Sequence, residues 1–124
     1  MLKGIPKILS PELLKVLCEM GHSDRIVIAD GNFPSESMGK DAIVIRCDGH
    51  GVPEILDAIL QVFPLDTYVE NPVNLMQLMP DDVGKVETPI WDTYKAISHR
   101  TFNNSGDKIF GIPFNILISS TNIL

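Results

Sequence analysis

The stretch Met20–Pro34, MGHSDRIVIADGNFP, decides how this chain is read. Gly21 stands where the preceding helix must stop, and a glycine in the left-handed region is the expected stop signal. His22 and Asp24 fall on the turn that follows. Arg25–Ala29 then reads as a buried strand. Within it Ile26-Val27-Ile28-Ala29 is a nearly continuous apolar run rich in β-branched residues, as a strand covered on both faces and central in its sheet requires. Asp30 emerges at the carboxyl end of that strand. A residue able to exchange a proton and a carboxylate are thus held at opposite ends of one strand. In α/β proteins the loops at strand ends are where small ligands are gripped.

Upstream, Ser10-Pro11-Glu12 is a helix start: Ser10 can cap, Pro11 suits the first helical position and Glu12 complements the dipole. Leu13, Leu14, Leu17 and Met20 form the apolar face of a helix from Pro11 to Met20. Downstream, Gly31–Lys40 (GNFPSESMGK) reads as a loop and Ile43–Ile45 as a second buried strand. Arg46 and Asp48 sit at its end, and Gly49-His50-Gly51 turns the chain. Pro53-Glu54 opens a second long helix whose Ile55, Leu56, Ile59, Leu60 and Phe63 share one face, and it stops before Pro64.

Asp66–Glu70 reads as a short strand, while residues 72–79 fit both the helical and the strand period. Pro80–Glu87 is an acidic loop. Thr88-Pro89 starts a further helix with Trp91, Tyr94, Lys95 and Ile97 on or near one side, ending near Arg100. Thr101–Lys108 is polar, and Ile109–Leu124 is apolar and β-prone. Helices and strands alternate, which predicts an α/β fold around a mainly parallel or mixed sheet. The 124 residues are expected to form a single domain.

With 16 acidic against 10 basic residues and no basic cluster, the chain would repel phosphate backbones and anionic membranes, which argues against nucleic acid as a partner. No secretory leader and no membrane-length apolar run is visible, so a soluble, cytoplasmic protein is expected. Cys18 and Cys47 lack CxxC spacing and clustered histidines; they read as two buried, reduced thiols and leave no zinc or redox motif.

His22 is the histidine best placed for chemistry, since imidazole exchanges protons in either direction near neutral pH without metal help. It also reads as a plain surface or capping residue. Asp30 is either a partly desolvated carboxylate available to sugar hydroxyls or the organiser of an Asx-turn through Gly31–Pro34. Asp24 could cap the turn or orient His22. Arg46 with Asp48 reads as a ligand-gripping pair or as a structural ion pair. Asp66 lies where a further strand begins, and Met76 on its own reads as core. Dinucleotide, P-loop, serine-hydrolase and metalloprotease motifs are all lacking. An acidic domain with one histidine and several aspartates at loop–strand junctions suits a small polyhydroxylated ligand better than an anionic one.

Taken together, LKGIPKILSPELL (2–14), MGHSD (20–24), IADGNFP (28–34), IRCDG (45–49), PLDTYVENP (64–72) and ETPIW (87–91) closely resemble the fucose mutarotases, relatives of the bacterial ribose pyranases. The resemblance runs from Leu2 to about Ile97; residues 98–124 depart from the family pattern and contain no tyrosine, the two in the chain being Tyr68 and Tyr94. It implies a three-layer α/β/α fold that assembles into homo-oligomers. The implied activity interconverts the α and β anomers of L-fucose without cofactor or metal. By position, the resemblance assigns His22 as the proton donor, and Asp30, Asp66 and Met76 as sugar contacts. Carboxylates accept hydrogen bonds from several hydroxyls at once, and a methionine suits the exocyclic methyl of a 6-deoxy sugar. The alternative is a non-catalytic variant of the same fold that binds sugar or co-assembles with full-length subunits.

Overall fold

A computed structural model of the chain describes residues 2–21, 24–63, 73, 89–102 and 117–119. Within them the order is α1 (Pro11–Glu19), β1 (Val27–Ala29), α2 (Ser35–Met38), β2 (Val44–Arg46), α3 (Val52–Val62), α4 (Pro89–Phe102) and β3 (Leu117–Ser119). The helix and strand alternation expected from the sequence is present as an α/β fold.

Local chemistry explains where the helices start. The Ser10 side chain accepts a hydrogen bond from the Leu13 N–H at 3.1 Å, satisfying one of the amides that the first turn leaves unpaired. Pro11 and Pro53 sit in the opening turns of α1 and α3, where a missing N–H costs nothing. On α1 the buried residues are Leu13, Val16 and Leu17, with Leu14 and Met20 packed alongside at partial burial. The corresponding set on α3 is Ile55, Ala58 and Ile59, flanked by Val62 and Phe63. These two faces close on Leu9, Ile45 and Cys47 to form one core. Fully burying each Leu or Ile contributes about 1.5–3 kcal/mol, so this cluster is the main source of stability in the described region.

The three strands form a parallel sheet in the order β1-β3-β2. Val27 and Val44 both pair with Leu117, and Ala29 and Arg46 both pair with Ser119. β1 and β2 are therefore level, and their carboxyl ends open on the same edge. Among the described residues it is β3, from near the end of the sequence, that has a neighbour on each side. Within this described sheet the central position expected of β1 is held by β3.

Three local expectations are corrected. Gly21 does not take a positive φ; among the described residues Gly4 (φ 75) and Gly49 (φ 86) do. Helix α1 ends because Met20 swings to extended backbone (φ −68, ψ 136), after its N–H has closed the last turn onto the Val16 carbonyl. The loop 31–40 contains the single helical turn α2, in which the Met38 N–H donates to the Pro34 carbonyl and the Gly39 N–H to the Ser35 carbonyl at 2.9 and 2.8 Å. Finally, Cys47 is buried but Cys18 is exposed, because it points off the Leu13–Val16–Leu17 face of its helix. The strand expected at 66–70 and, apart from Val73, the ambiguous segment 72–79 lie outside the described residues.

Candidate functional site at the carboxyl edge of the sheet

Asp30 follows the last residue of β1, at the edge where β1 and β2 both terminate. With β3 between them, the ends of β1 and β2 stand about 10 Å apart, twice the ordinary strand spacing. The backbone here is shaped by hydrogen bonds within one short turn. Asp30 Oδ1 accepts from the Asn32 N–H at 2.9 Å, and the Phe33 N–H donates to the Asp30 carbonyl at 3.1 Å. The Ser35 N–H then donates to the Phe33 carbonyl at 2.8 Å, and Ser35 is almost fully buried. Asp30 is an exposed residue. It organises an Asx-turn while facing accessible space. The bond from the Asn32 N–H helps to orient a carboxylate whose two oxygens have about four lone-pair sites between them.

On the β2 side, Arg46 Nε lies 3.2 Å from Asp48 Oδ1, with both side chains about half exposed (52% and 57%), so the pair is worth little to stability. Gly49 turns the chain with φ 86, a conformation that suits glycine, and the His50 N–H reaches the Cys47 carbonyl at 3.3 Å. His50 Nδ1 lies 3.4 Å from Glu54 Oε2, one turn along α3. Among the described residues, no group of three or more His, Cys, Asp and Glu side chains is placed to hold a metal ion.

At the other end of β1, Asp24 Oδ2 accepts from the Gly21 N–H at 2.8 Å and the Asp24 N–H donates to the Gly21 carbonyl at 3.2 Å. These reciprocal bonds join the two residues that flank His22 and Ser23 in sequence. The Asp24 carboxylate thus caps the chain leaving α1. Of the residues assigned by resemblance, Asp30 is placed by the structure; His22, Asp66 and Met76 lie outside the described residues.

Sequence reasoning missed a neighbour of Asp30. Tyr94 on α4 is half-buried, and burial, with the Asp30 charge acting in the same direction, holds its phenol above the usual tyrosine range. Its spacing from buried Ile97 shows in the sequence as an i,i+3 stripe, but its relation to Asp30 depends on how α4 packs. The Cys47 thiol is also pushed up, by burial first and by the Asp48 charge second.

The model of the RbsD / FucU transport protein family matches residues 3–111. The fucose mutarotase of Mus musculus is 52% identical over 98 residues, covering 77% of this chain and 64% of that protein. The fucose mutarotase of Homo sapiens is 50% identical over 101 residues, covering 80% of this chain and 66% of that one. The chain therefore spans just under two thirds of the length of these curated relatives. Among solved structures, FucU from Bifidobacterium longum superposes with a TM-score of 0.86 at 53% identity, over 95% of this chain and 88% of that one. A fucose mutarotase from Streptococcus pneumoniae in complex with L-fucose gives 0.80 at 38% identity, over 97% and 88%.

Proposed function

The chain belongs to the RbsD / FucU transport protein family, and on that premise we propose that it is a mutarotase interconverting the α and β anomers of L-fucose. The observation that carries this reading is its likeness to proteins named fucose mutarotase at about half identity, one structural neighbour being bound to L-fucose. The placement of Asp30 supports it, since an oriented, accessible carboxylate at a sheet edge is suited to accept hydrogen bonds from vicinal hydroxyls.

In this reading His22 delivers a proton to the ring oxygen as the bond from C1 to that oxygen breaks, and the anomeric hydroxyl gives its own proton to solvent water. The open-chain aldehyde then turns and recloses on its other face, with the proton movements reversed. Asp30, Asp66 and Met76 hold the sugar, the methionine against the exocyclic methyl. Residues 1–124 act as one domain with a divergent segment at 98–124, in the cytoplasm, as a homo-oligomer. The family resemblance supports this assembly, and light scattering on the purified chain tests it.

The test of activity is saturation transfer between the α and β anomeric protons of L-fucose, with His22→Ala as control. Faster exchange that the substitution abolishes is the expected result. An exchange rate equal to that of buffer, from a folded chain, would sink the proposal. A second reading is a non-catalytic variant that binds sugar or co-assembles with full-length subunits, favoured by the absence of tyrosine from residues 98–124. Saturable fucose binding or mixed oligomers without rate acceleration would select it.

A further inference from the structure

Gly21 and Asp24 are joined twice. Asp24 Oδ2 accepts from the Gly21 N–H at 2.8 Å, and the Asp24 N–H donates to the Gly21 carbonyl at 3.2 Å. The second bond has the i+3 to i spacing of a β-turn, and the first ties the same two residues through the side chain. The chain on either side of this clamp is held by the core. Met20, whose N–H closes the last turn of α1, packs against it at partial burial, and so does Ile26, directly ahead of β1. Gly21 and Asp24 themselves are exposed, so replacing the Asp24 side chain leaves that packing untouched. His22 and Ser23 are the two residues between them in sequence.

We propose that Asp24 is a positioning residue for His22, its carboxylate oxygen clamping Gly21 so that the imidazole on the adjoining residue is held where its proton is needed. The inference rests on the mutarotase reading, with His22 as proton donor, and deepens it. His22 is covalently bonded to Gly21 and separated from Asp24 by Ser23 alone. Whatever fixes Gly21 against Asp24 therefore restricts the backbone that carries the imidazole. General acid catalysis needs such restriction, because the donor must lie within hydrogen-bond reach of the sugar ring oxygen, and a misplacement of about 1 Å costs up to about a hundredfold in rate. The clamp needs an acceptor oxygen at position 24 rather than a charge. Without the side chain only the longer of the two bonds, from the Asp24 N–H, is left.

Two variants separate a clamp from a charge. Asp24→Asn keeps an acceptor oxygen for the Gly21 N–H and loses the charge, whereas Asp24→Ala loses both. In anomer exchange measured across L-fucose concentration and pH, Asp24→Ala is expected to lower kcat at least about tenfold, with KM within about twofold and the thermal midpoint nearly unchanged. Asp24→Asn is expected to keep kcat within about threefold of the parent chain, with the pH midpoint of the rate unmoved. A parental kcat in folded Asp24→Ala overturns the clamp and leaves the mutarotase reading intact. Equal losses in both variants overturn it too, since they assign the effect to the charge, and a collapsed thermal midpoint in Asp24→Ala would make the role structural. If the unsubstituted chain leaves exchange at its buffer rate, or His22→Ala exchanges as fast as the parent, the reading beneath has failed and this inference falls with it.

Discussion

Asp30 Oδ1 accepts the Asn32 N–H at 2.9 Å, so the carboxylate proposed to hold sugar also shapes the turn that presents it. Asparagine at position 30 can keep the turn, because its amide oxygen accepts the same bond, but it removes the charge. Asp30→Asn is therefore expected to unfold at nearly the same temperature as the parent chain while its KM for L-fucose rises at least about tenfold, the loss expected for charge-assisted hydrogen bonds. Asp30→Ala should lose the turn bond as well and be less stable by at most about 1 kcal/mol. Thermal melts beside anomer-exchange kinetics check both. Equal KM for Asp30→Asn and the parent would remove Asp30 from the site.

The core prediction contrasts two isoleucines. Ile55 is 1% exposed among α1 and β2 residues, whereas Ile43 is 51% exposed just before β2. Ile55→Ala leaves a cavity and is expected to cost about 2–5 kcal/mol. Ile43→Ala should stay within about 0.5 kcal/mol. Urea denaturation of both variants measures the difference, and comparable losses would contradict the position of the core.

Alkaline stability follows from Cys47 and Tyr94, both of which bind protons more tightly in the folded state than in the unfolded chain. Their contributions are fully present below the unfolded values, about 8.5 for a thiol and about 10 for a phenol, and are lost as pH rises through the raised folded values. In that window the folded state holds more protons, so stability falls with pH. Denaturation midpoints should decline from about pH 8.5 upward. Cys47→Ala should flatten the first part of the decline, and an unaltered slope in that variant would exclude the thiol as its source.

The strand β3 lies beyond residue 111, where the match to the family model ends, yet it supplies the pairing partner of both β1 and β2. A chain stopped at Gly111 would leave both ladders without their shared neighbour. Such a chain is expected to lose its cooperative thermal transition, followed by circular dichroism. Retention of a full transition would show that the sheet does not depend on the end of the chain.

Signals that act over one or two turns were legible from the residues alone. The Ser10 cap, Pro11 and Pro53 at helix starts, the α1 and α3 faces and the strands β1 and β2 between them each depend on side chains within a few residues of one another. Asp30 was legible for the same reason, as the residue that ends an apolar run. Gly21 was misread because a helix can also stop by its last residue turning extended, which no residue type announces. The burial of Cys47 but not Cys18, the insertion of Leu117–Ser119 between β1 and β2, and the influence of the Asp30 charge on Tyr94 were decided by tertiary packing. Each depends on which faces of distant elements meet, and burial and electrostatics act through space rather than along the chain.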